Sequence, residues 1–515
     1  MRYIEGQPRN QITLFPESLD EYISETNPIR AIDVYIDSLD LYKMGFKKLQ
    51  AKAAGRPPYS PFDLLKLYLY CFLNRIRSSR ITERETQRNV EVMWLIKRLT
   101  PDHKTISEFR RQHPKQLKQV FKDFVKLCAE LNMYGKELSV IDGSKFKAVN
   151  AKDKNFNSEK LEERIARLES RIEEYLRQME QQDQEDDRTQ SELSPEQFET
   201  LLSELKERKA TYEGYKQQLE ETGEKQISVT DPDSKKMLSN GKYEICHNVQ
   251  IAVDPKNKLI SEYAVTSDAN DLNQLSEMAT SAAETLEAEN MSACADTGYD
   301  NASEIAACIR AGITPHVTGT DYDICIPEED EEAEVSEIET HHEGRIVYIP
   351  ERNIALCPMG KPLYPQSQKK CGRVVFRNPS ACKNCTCKCT NNKKGYREYE
   401  IVMAKEKFSK EYNDKGLRVK QVRVKADKEL SRLRKQIVEH PFGTIKRAWG
   451  AGYVLTRGTE KVTGEFALTF LAYNFMRIIN ILGVPELIKA VRNRNNDNFC
   501  KKYYPFCGDF LVSAC

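Results

Sequence analysis

Seventy-nine lysines and arginines stand against 78 aspartates and glutamates, so a chain of 515 residues carries almost no net charge. Overall charge therefore points to no partner, and charge has to be read locally. No run approaches 18 apolar residues, so no segment is expected to span a bilayer. The opening Met1-Arg2-Tyr3-Ile4-Glu5 lacks the apolar core of a signal peptide, and the expectation is a cytosolic protein. In that setting fifteen cysteines, an odd number, are expected to be thiols or metal ligands rather than a disulfide framework. The length allows roughly two to four domains, each with its own core.

From about Pro28 to Met133 the pattern is helical. Ser60-Pro61-Phe62-Asp63 supplies an N-cap and a proline at the first helical position, ahead of the apolar run Leu64, Leu65, Leu67, Leu69 and Phe72. Thr105-Ile106-Ser107-Glu108 reads as a capping box, and Gly55-Arg56-Pro57-Pro58 as an extended basic segment. Short helices with arginines on one of them suit a helix-turn-helix-like DNA reader. A helical bundle with solvated arginines fits the same pattern.

The stretch Leu138-Ser139-Val140-Ile141-Asp142-Gly143-Ser144-Lys145-Phe146 reads as a buried strand carrying a carboxylate where the backbone bends. A carboxylate inside a sheet costs several kcal/mol unless it is compensated, and a metal ion is a usual compensation. An Asp-Gly turn between two strands is the alternative. An insertion follows. Leu161, Ile165, Leu168, Ile172, Leu176 and Met179 form a coiled-coil stripe, Gln181 to Gln190 breaks it, and Phe198, Leu201, Leu205, Tyr212 and Leu219 resume it. An antiparallel hairpin is expected, with an acidic character that argues against DNA contact as its main role.

Strands are expected at Tyr243 to Val253 and Leu259 to Val265, a helix at Asp271 to Leu286, and a short strand at Met291 to Ala295 ending in Asp296. A helix at Asn301 to Ala311 and a strand at Ile313 to Val317 complete the run. The order strand, strand, strand, helix, strand, helix, strand resembles the plan of an RNase H-like sheet. In that plan Asp142 and Asp296 end neighbouring strands. Between about Gly319 and Lys425 lie the acidic run Pro327 to Glu343, a solvated loop, and the cysteines 357, 371, 382, 385, 387 and 389. Such thiolate density points to zinc, with free thiols as the alternative and no unique choice of four ligands. A basic helix from Lys428 carries one isolated acid, Glu439, with Lys446 seven residues on and Pro441 and Gly443 between them. Gly464 to Leu482 is apolar nearly all round and should be a core helix. Beyond Val491 a poorly anchored tail is expected.

Three blocks carry a resemblance: Val140-Ile141-Asp142-Gly143-Ser144, Ala295-Asp296-Thr297-Gly298-Tyr299-Asp300-Asn301, and Val438-Glu439-His440-Pro441-Phe442-Gly443-Thr444-Ile445-Lys446. They resemble the signature blocks of bacterial insertion-sequence transposases of the DDE type. Thr230-Asp231-Pro232-Asp233-Ser234, Asn248 to Asp254 and Gly464-Glu465-Phe466-Ala467-Leu468 resemble further blocks of that group, and the resemblance spans roughly residues 1–485. One departure stands out. The group carries Tyr seven and Arg four residues before the Glu; here those places hold Arg432 and Lys435, with Arg434 one residue off register.

The resemblance implies an α/β chain. An RNase H-like mixed sheet flanked by helices (136–318 and 426–485) follows an all-α DNA-binding domain (1–135). A coiled-coil hairpin (155–225) and a Cys-rich segment (319–425) are insertions, and 486–515 is a tail. It implies that Asp142, Asp296 and Glu439 are catalytic and hold two Mg²⁺ ions, with Mn²⁺ able to substitute, while Arg434, Lys446 and Arg447 contact DNA. Trp449 stacks on a base or sits in the core. Cys357, Cys382, Cys385, Cys387 and Cys389 are candidates for a separate structural zinc site. The implied partners are double-stranded DNA, as terminal inverted repeats and target, and further copies of the chain, at least a dimer when two ends are paired. No membrane is implied, and the expected place is the bacterial cytoplasm at the nucleoid. The implied reaction is cleavage of the element's ends and their joining to target DNA. A catalytically silent DNA-binding descendant and a nuclease without strand joining are the alternatives.

Overall fold

The computed structural model describes residues 18–46, 58–184, 195–239, 241–327, 346–349, 352–368, 373–383, 385–386, 395–403 and 419–503. Six helices come first: α1 (Pro28–Ser38), α2 (Pro61–Leu73), α3 (Ser79–Arg88), α4 (Val90–Leu95), α5 (His103–Gln112) and α6 (Pro114–Glu130). Their starts are set by side chains. Asn27 accepts from Ile29 N at the head of α1, and Ser60 accepts from Phe62 N at the head of α2, each followed by proline at the first helical position. The cap of α5 is Asp102, which accepts from Lys104 N and Thr105 N, so the capping box expected at Thr105 begins three residues too late. A carboxylate outcompetes a hydroxyl for those free N–H groups, and Thr105 donates its own hydroxyl to Asp102. Residues 55–57 of the expected basic segment lie outside the described residues.

The central sheet has six strands. They are β1 (Leu138–Lys147), β4 (Lys235–Ser239), β5 (Lys242–Val253), β6 (Ile260–Thr266), β7 (Ser292–Ala295) and β8 (Thr314–Val317). The order across the sheet is β5-β1-β7-β8, and β4 and β6 share the outer edge of β5. β1 runs antiparallel to β5 and parallel to β7, which runs parallel to β8. The expected strand and helix order therefore holds, with β4 an addition. Asp142 lies in the middle of β1, paired with Ile251, rather than at its end, and Gly143 pairs with Gln250, so no Asp-Gly turn forms. The helices α9 (Leu275–Leu286) and α10 (Ala302–Arg310) cover one face. Asp271, expected at the start of α9, precedes it by four residues.

On the other face lie α12 (Lys428–Gly443), which continues past Pro441 into a π-helical turn at Thr444–Ala448, and α13 (Thr459–Leu482). By length and composition α13 passes for a membrane span, yet it is the central helix of the fold, packed against α6, α2 and β6. Phe466, Phe470, Tyr473 and Phe475 are fully buried or nearly so, each worth about 1.5–3 kcal/mol relative to exposure. One continuous core joins α1, α2, α6 and α13 to Val140, Phe146, Val249 and Tyr263 of the sheet. Where α13 meets α6 no side chain fits: a Cβ on Gly464 would lie 2.6 Å from Pro114 Cα.

The insertion after β1 is an antiparallel pair, α7 (Ser158–Gln184) and α8 (Pro195–Thr222), in which Lys216 pairs with Glu162 and Lys209 with Glu169. Two short strands, β2 (Asn155–Phe156) and β3 (Ile227–Ser228), clamp its root. Between β8 and α12 a second sheet of seven strands appears, ordered β10-β11-β12-β13-β14-β9-β15. It runs from β9 (Asp321–Pro327) through β10 (Val347–Ile349), β11 (Ile354–Leu356), β12 (Pro362–Gln368), β13 (Arg373–Arg377), the short α11 (Pro379–Lys383) and β14 (Glu398–Met403) to β15 (Val419–Lys425). The segment 319–425 is thus a β layer with its own small core around Phe376 and Tyr348. Residues 328–343 of the expected acidic loop lie outside the described residues.

The expected loose tail is corrected in part. Val484–Tyr503 forms a helix, α14, which packs on α1 through Leu487 and Val491. Arg494 anchors it to Asp123 at 3.0 Å and Glu130 at 2.9 Å. A polar composition hid a four-residue apolar spacing; residues 504–515 lie outside the described residues.

Candidate active site

Asp142 and Asp296 are neighbours by register. Val140 pairs with Cys294 across the parallel strands β1 and β7, and each aspartate lies two residues further along its own chain. Strands so paired lie about 4.8 Å apart. Asp296 has just left β7 and caps a short 3₁₀ turn, accepting from Gly298 N at 2.8 Å. Asp142 shares a face of β1 with Val140, Ser144 and Phe146, the face covered by α12.

Between the two carboxylates lies Arg434. Its Nη1 is 3.4 Å from Asp142 Oδ1 and its Nη2 3.9 Å from Asp296 Oδ2, and its side chain is 9% exposed. The Nε is buried without a partner. In this structure Arg434, expected to contact DNA, has its guanidinium against the two acids inside the protein. It does not fully offset them. Burial is the largest influence on Asp142, Arg434 opposes it, Asp296 and Asp271 add repulsion, and its carboxyl is pushed up to about 6.

Asp271, which the sequence reading passed over, stands on the opposite side of β1. Its Oδ1 accepts from Asn248 Nδ2 at 2.6 Å, Gln250 Nε2 at 2.7 Å and Lys145 Nζ at 3.1 Å. Tyr299 donates to Gln250 Oε1 and extends the network toward the Asp296 turn. The network presses on Gly143, where a Cβ would lie 2.4 Å from Gln250 Nε2 and 2.7 Å from Asp271 Oδ1. That close approach, not a bend, is what position 143 needs glycine for. Lys145, two residues past Gly143 on the same face, was the available signal.

Lys446 enters from the π-helical turn. Its Nζ donates to Ser144 Oγ and to Lys145 O, both at 2.6 Å, and lies 4.2 Å from the Phe146 ring centroid. Burial lowers its ammonium to about 8. It braces β1 beside Asp142, with two of its three donors already used. Arg447 is exposed. Trp449 is 8% exposed and packs edge-on against Tyr473, a core position.

Glu439 is exposed, and among the described residues it has no hydrogen bond or ion pair. Nor do three acidic, histidine or cysteine side chains gather closely enough to hold one metal ion among the described residues. The expected meeting of three acids is met by two. Among the cysteines proposed for zinc, Cys357, Cys382 and Cys385 are free and partly exposed, and Cys387 and Cys389 lie outside the described residues. The remaining blocks are structural. Asp231, fully buried, accepts from His247 Nε2 at 2.8 Å and Gly458 N at 2.9 Å, while Asp233 accepts from Thr459 N at the head of α13. Glu465, 1% exposed, accepts from Leu455 N, Thr456 N and, at 2.6 Å, from Arg77 Nη2.

Two family models match the chain: a transposase domain (DUF772) over residues 17–112 and a transposase DDE domain over residues 356–479. Both matches are to transposase domains, and together they support reading the chain as an insertion-sequence transposase of the DDE type. The first match covers helices α1 to α5; the second takes in most of the second sheet, Glu439, Lys446 and α13. Asp142 and Asp296 fall outside both, so their assignment rests on the strand register and on Arg434. No curated protein and no solved structure matches the chain.

Proposed function

We propose that this transposase binds the terminal repeats of its element, cleaves the phosphodiester bonds at the ends and joins them to target DNA, at a divalent-metal site built on Asp142, Asp296 and Glu439. The observation that carries this reading is the pairing of Asp142 and Asp296 at matched register around one buried guanidinium. The sheet order β6-β5-β1-β7-β8, with β6 and β5 antiparallel and β7 and β8 parallel, supports reading the core as RNase H-like.

The donor set suits the metal. Two carboxylates supply hard oxygens of the kind Mg²⁺ takes, and burial, which pushes the Asp142 carboxyl up to about 6, leaves its anion in need of a further cation. Asp142, Asp296 and Glu439 would hold the divalent ions, which would supply Lewis-acid activation of the attacking oxygen and charge stabilisation for the leaving 3′ oxygen. The chain's own groups do the rest. Arg434 partly offsets Asp142 and Asp296 and is released toward DNA phosphate when the carboxylates are otherwise engaged. Lys446 holds β1 in place through Ser144 and the Lys145 carbonyl. Glu439, on the open side of α12, completes the set as Arg434 withdraws, and exposed Arg447 supplies phosphate contact.

The test uses the full chain, linear DNA carrying the element's ends, and Mg²⁺ or Mn²⁺. Nicked and then joined products are expected from wild type, and neither from Asp142→Asn or Asp296→Asn. Robust cleavage by Asp142→Asn overturns the assignment. Cleavage without joined products replaces it with a nuclease.

A further inference from the structure

The root of the helical hairpin holds a cavity of about 260 Å³ lined by Lys154, Phe156, Arg164, Arg208, Tyr212 and Tyr215, with Asp153 as its one acidic side chain. Its floor is aromatic. Phe156 lies 5.4 Å from Tyr212 and 6.0 Å from Tyr215 between ring centroids, on a small core completed by Leu161 and Leu219. Its rim is cationic, and the charge is unbalanced. Several basic side chains elsewhere on the hairpin are paired, Lys209 with Glu169, Lys216 with Glu162 and Arg167 with Glu163. Among the described residues no ion pair involves Lys154, Arg164 or Arg208. Lys160, turned inward over the Phe156 ring at 4.8 Å, has its ammonium lowered, first by burial and then by Arg164.

We propose that this root is a second DNA site, in which Arg164, Arg208 and Lys154 take backbone phosphates and Tyr212 and Tyr215 pack against an unstacked base. Unpaired cations beside partly open tyrosine rings, here Tyr212 and Tyr215, are what single-stranded nucleic acid recognition uses. The acidic length of the hairpin directs DNA to the root. β1 connects the root to the active site: Asp142 and Lys147 are roughly 17 Å apart at the rise of a strand, and the root begins at Lys152, which pairs with Glu244 of β5 at 2.9 Å. DNA held at the carboxylates thus has the root within reach after roughly five base pairs or a few more at 3.4 Å each. The site rests on the transposase reading for its ligand but on no catalytic residue.

The experiment measures binding by the full-length protein of a labelled duplex containing a short unpaired stretch, alongside the fully paired duplex, across a salt series. The variants are Arg164→Glu with Arg208→Glu, the first partly buried and the second exposed, and Tyr212→Leu, which keeps the apolar packing without the π face. Losing two phosphate contacts should flatten the salt slope by about 1.8, so between about 50 and 200 mM salt wild type loses about twelvefold more affinity than the double variant. Tyr212→Leu should weaken binding of the gapped duplex and leave the paired one unchanged. Wild-type affinity and slope in the double variant overturn the site while the cleavage assay still tests the active site. A wild-type protein that binds neither duplex overturns both.

Discussion

Replacing Asp142 by asparagine should stabilise the metal-free protein above about pH 6 while removing its cleavage activity. The magnitude follows from the site. The carboxyl titrates near 3.8 in an unfolded chain and is pushed up to about 6 in the folded one, with the attraction to Arg434 already included. A gap of about two pH units at 1.36 kcal/mol each is close to 3 kcal/mol. The sign runs against the usual carboxylate. Below about pH 4 the group is protonated in both states and contributes nothing. Between there and pH 6 the unfolded chain ionises while the folded one holds its proton, so stability falls by that amount and stays lost at higher pH. Asparagine never ionises and escapes the loss. With Asp142 neutralised Arg434 keeps only Asp296 at 3.9 Å, which trims the gain to about 1–3 kcal/mol, or a few degrees in melting temperature. The assay is thermal melting of both proteins in EDTA from about pH 4 to pH 8, then with Mn²⁺. The gain should be absent at the acid end, grow through pH 6, and shrink when Mn²⁺ stabilises wild type alone. A variant no more stable than wild type at pH 8, or a gain of equal size at pH 4, refutes the reasoning.

Two further outcomes follow from neighbouring contacts. Gly143→Ala puts a Cβ 2.4 Å from Gln250 Nε2 and 2.7 Å from Asp271 Oδ1. It should lower stability by about 1–3 kcal/mol in urea unfolding and slow cleavage, since the strain falls on the strand carrying Asp142. Arg434→Gln removes the charge that lowers Asp142, so its carboxyl rises above 6 and the acid limb of the cleavage pH profile should move toward higher pH. An unmoved limb, measured at limiting Mn²⁺ where protons compete with the metal for Asp142, refutes the pairing.

The features legible in the sequence were those set by neighbours along the chain. Ser60-Pro61 and Asn301 mark helix starts because their side chains bond N–H groups two residues away. The strand and helix order around Asp142 and Asp296 followed from periodicity, and its resemblance to the RNase H-like plan made the two strands neighbours, as their parallel pairing bears out. What escaped was set across space. The layer at 319–425 is built from short strands whose pairing is non-local, and cysteines drew attention away from alternations such as Arg373 to Arg377. Asp271 looked like the start of a helix because nothing local shows that Asn248, Gln250 and Lys145 converge on it.

The one-residue departure from the group's spacing explains why two acids meet and the third does not. Four residues apart, an arginine and a glutamate lie on one face of a helix, about 40° from each other. On α12 the arginine is five before Glu439, which places the glutamate roughly 140° round. Arg434 falls in line with Val438, Pro441 and Ile445, all buried, and is carried with them onto the sheet between Asp142 and Asp296. Lys435, at the group's arginine position, shares the exposed side with Glu439. In this helical phase the inner face thus supplies a cation and the outer face the acid. The catalytic arrangement proposed above needs the reverse, the guanidinium toward DNA and the glutamate toward the aspartates. The π-helical turn just after Pro441 is the place where α12 already departs from regular pitch, and so where such an exchange of phase meets least resistance.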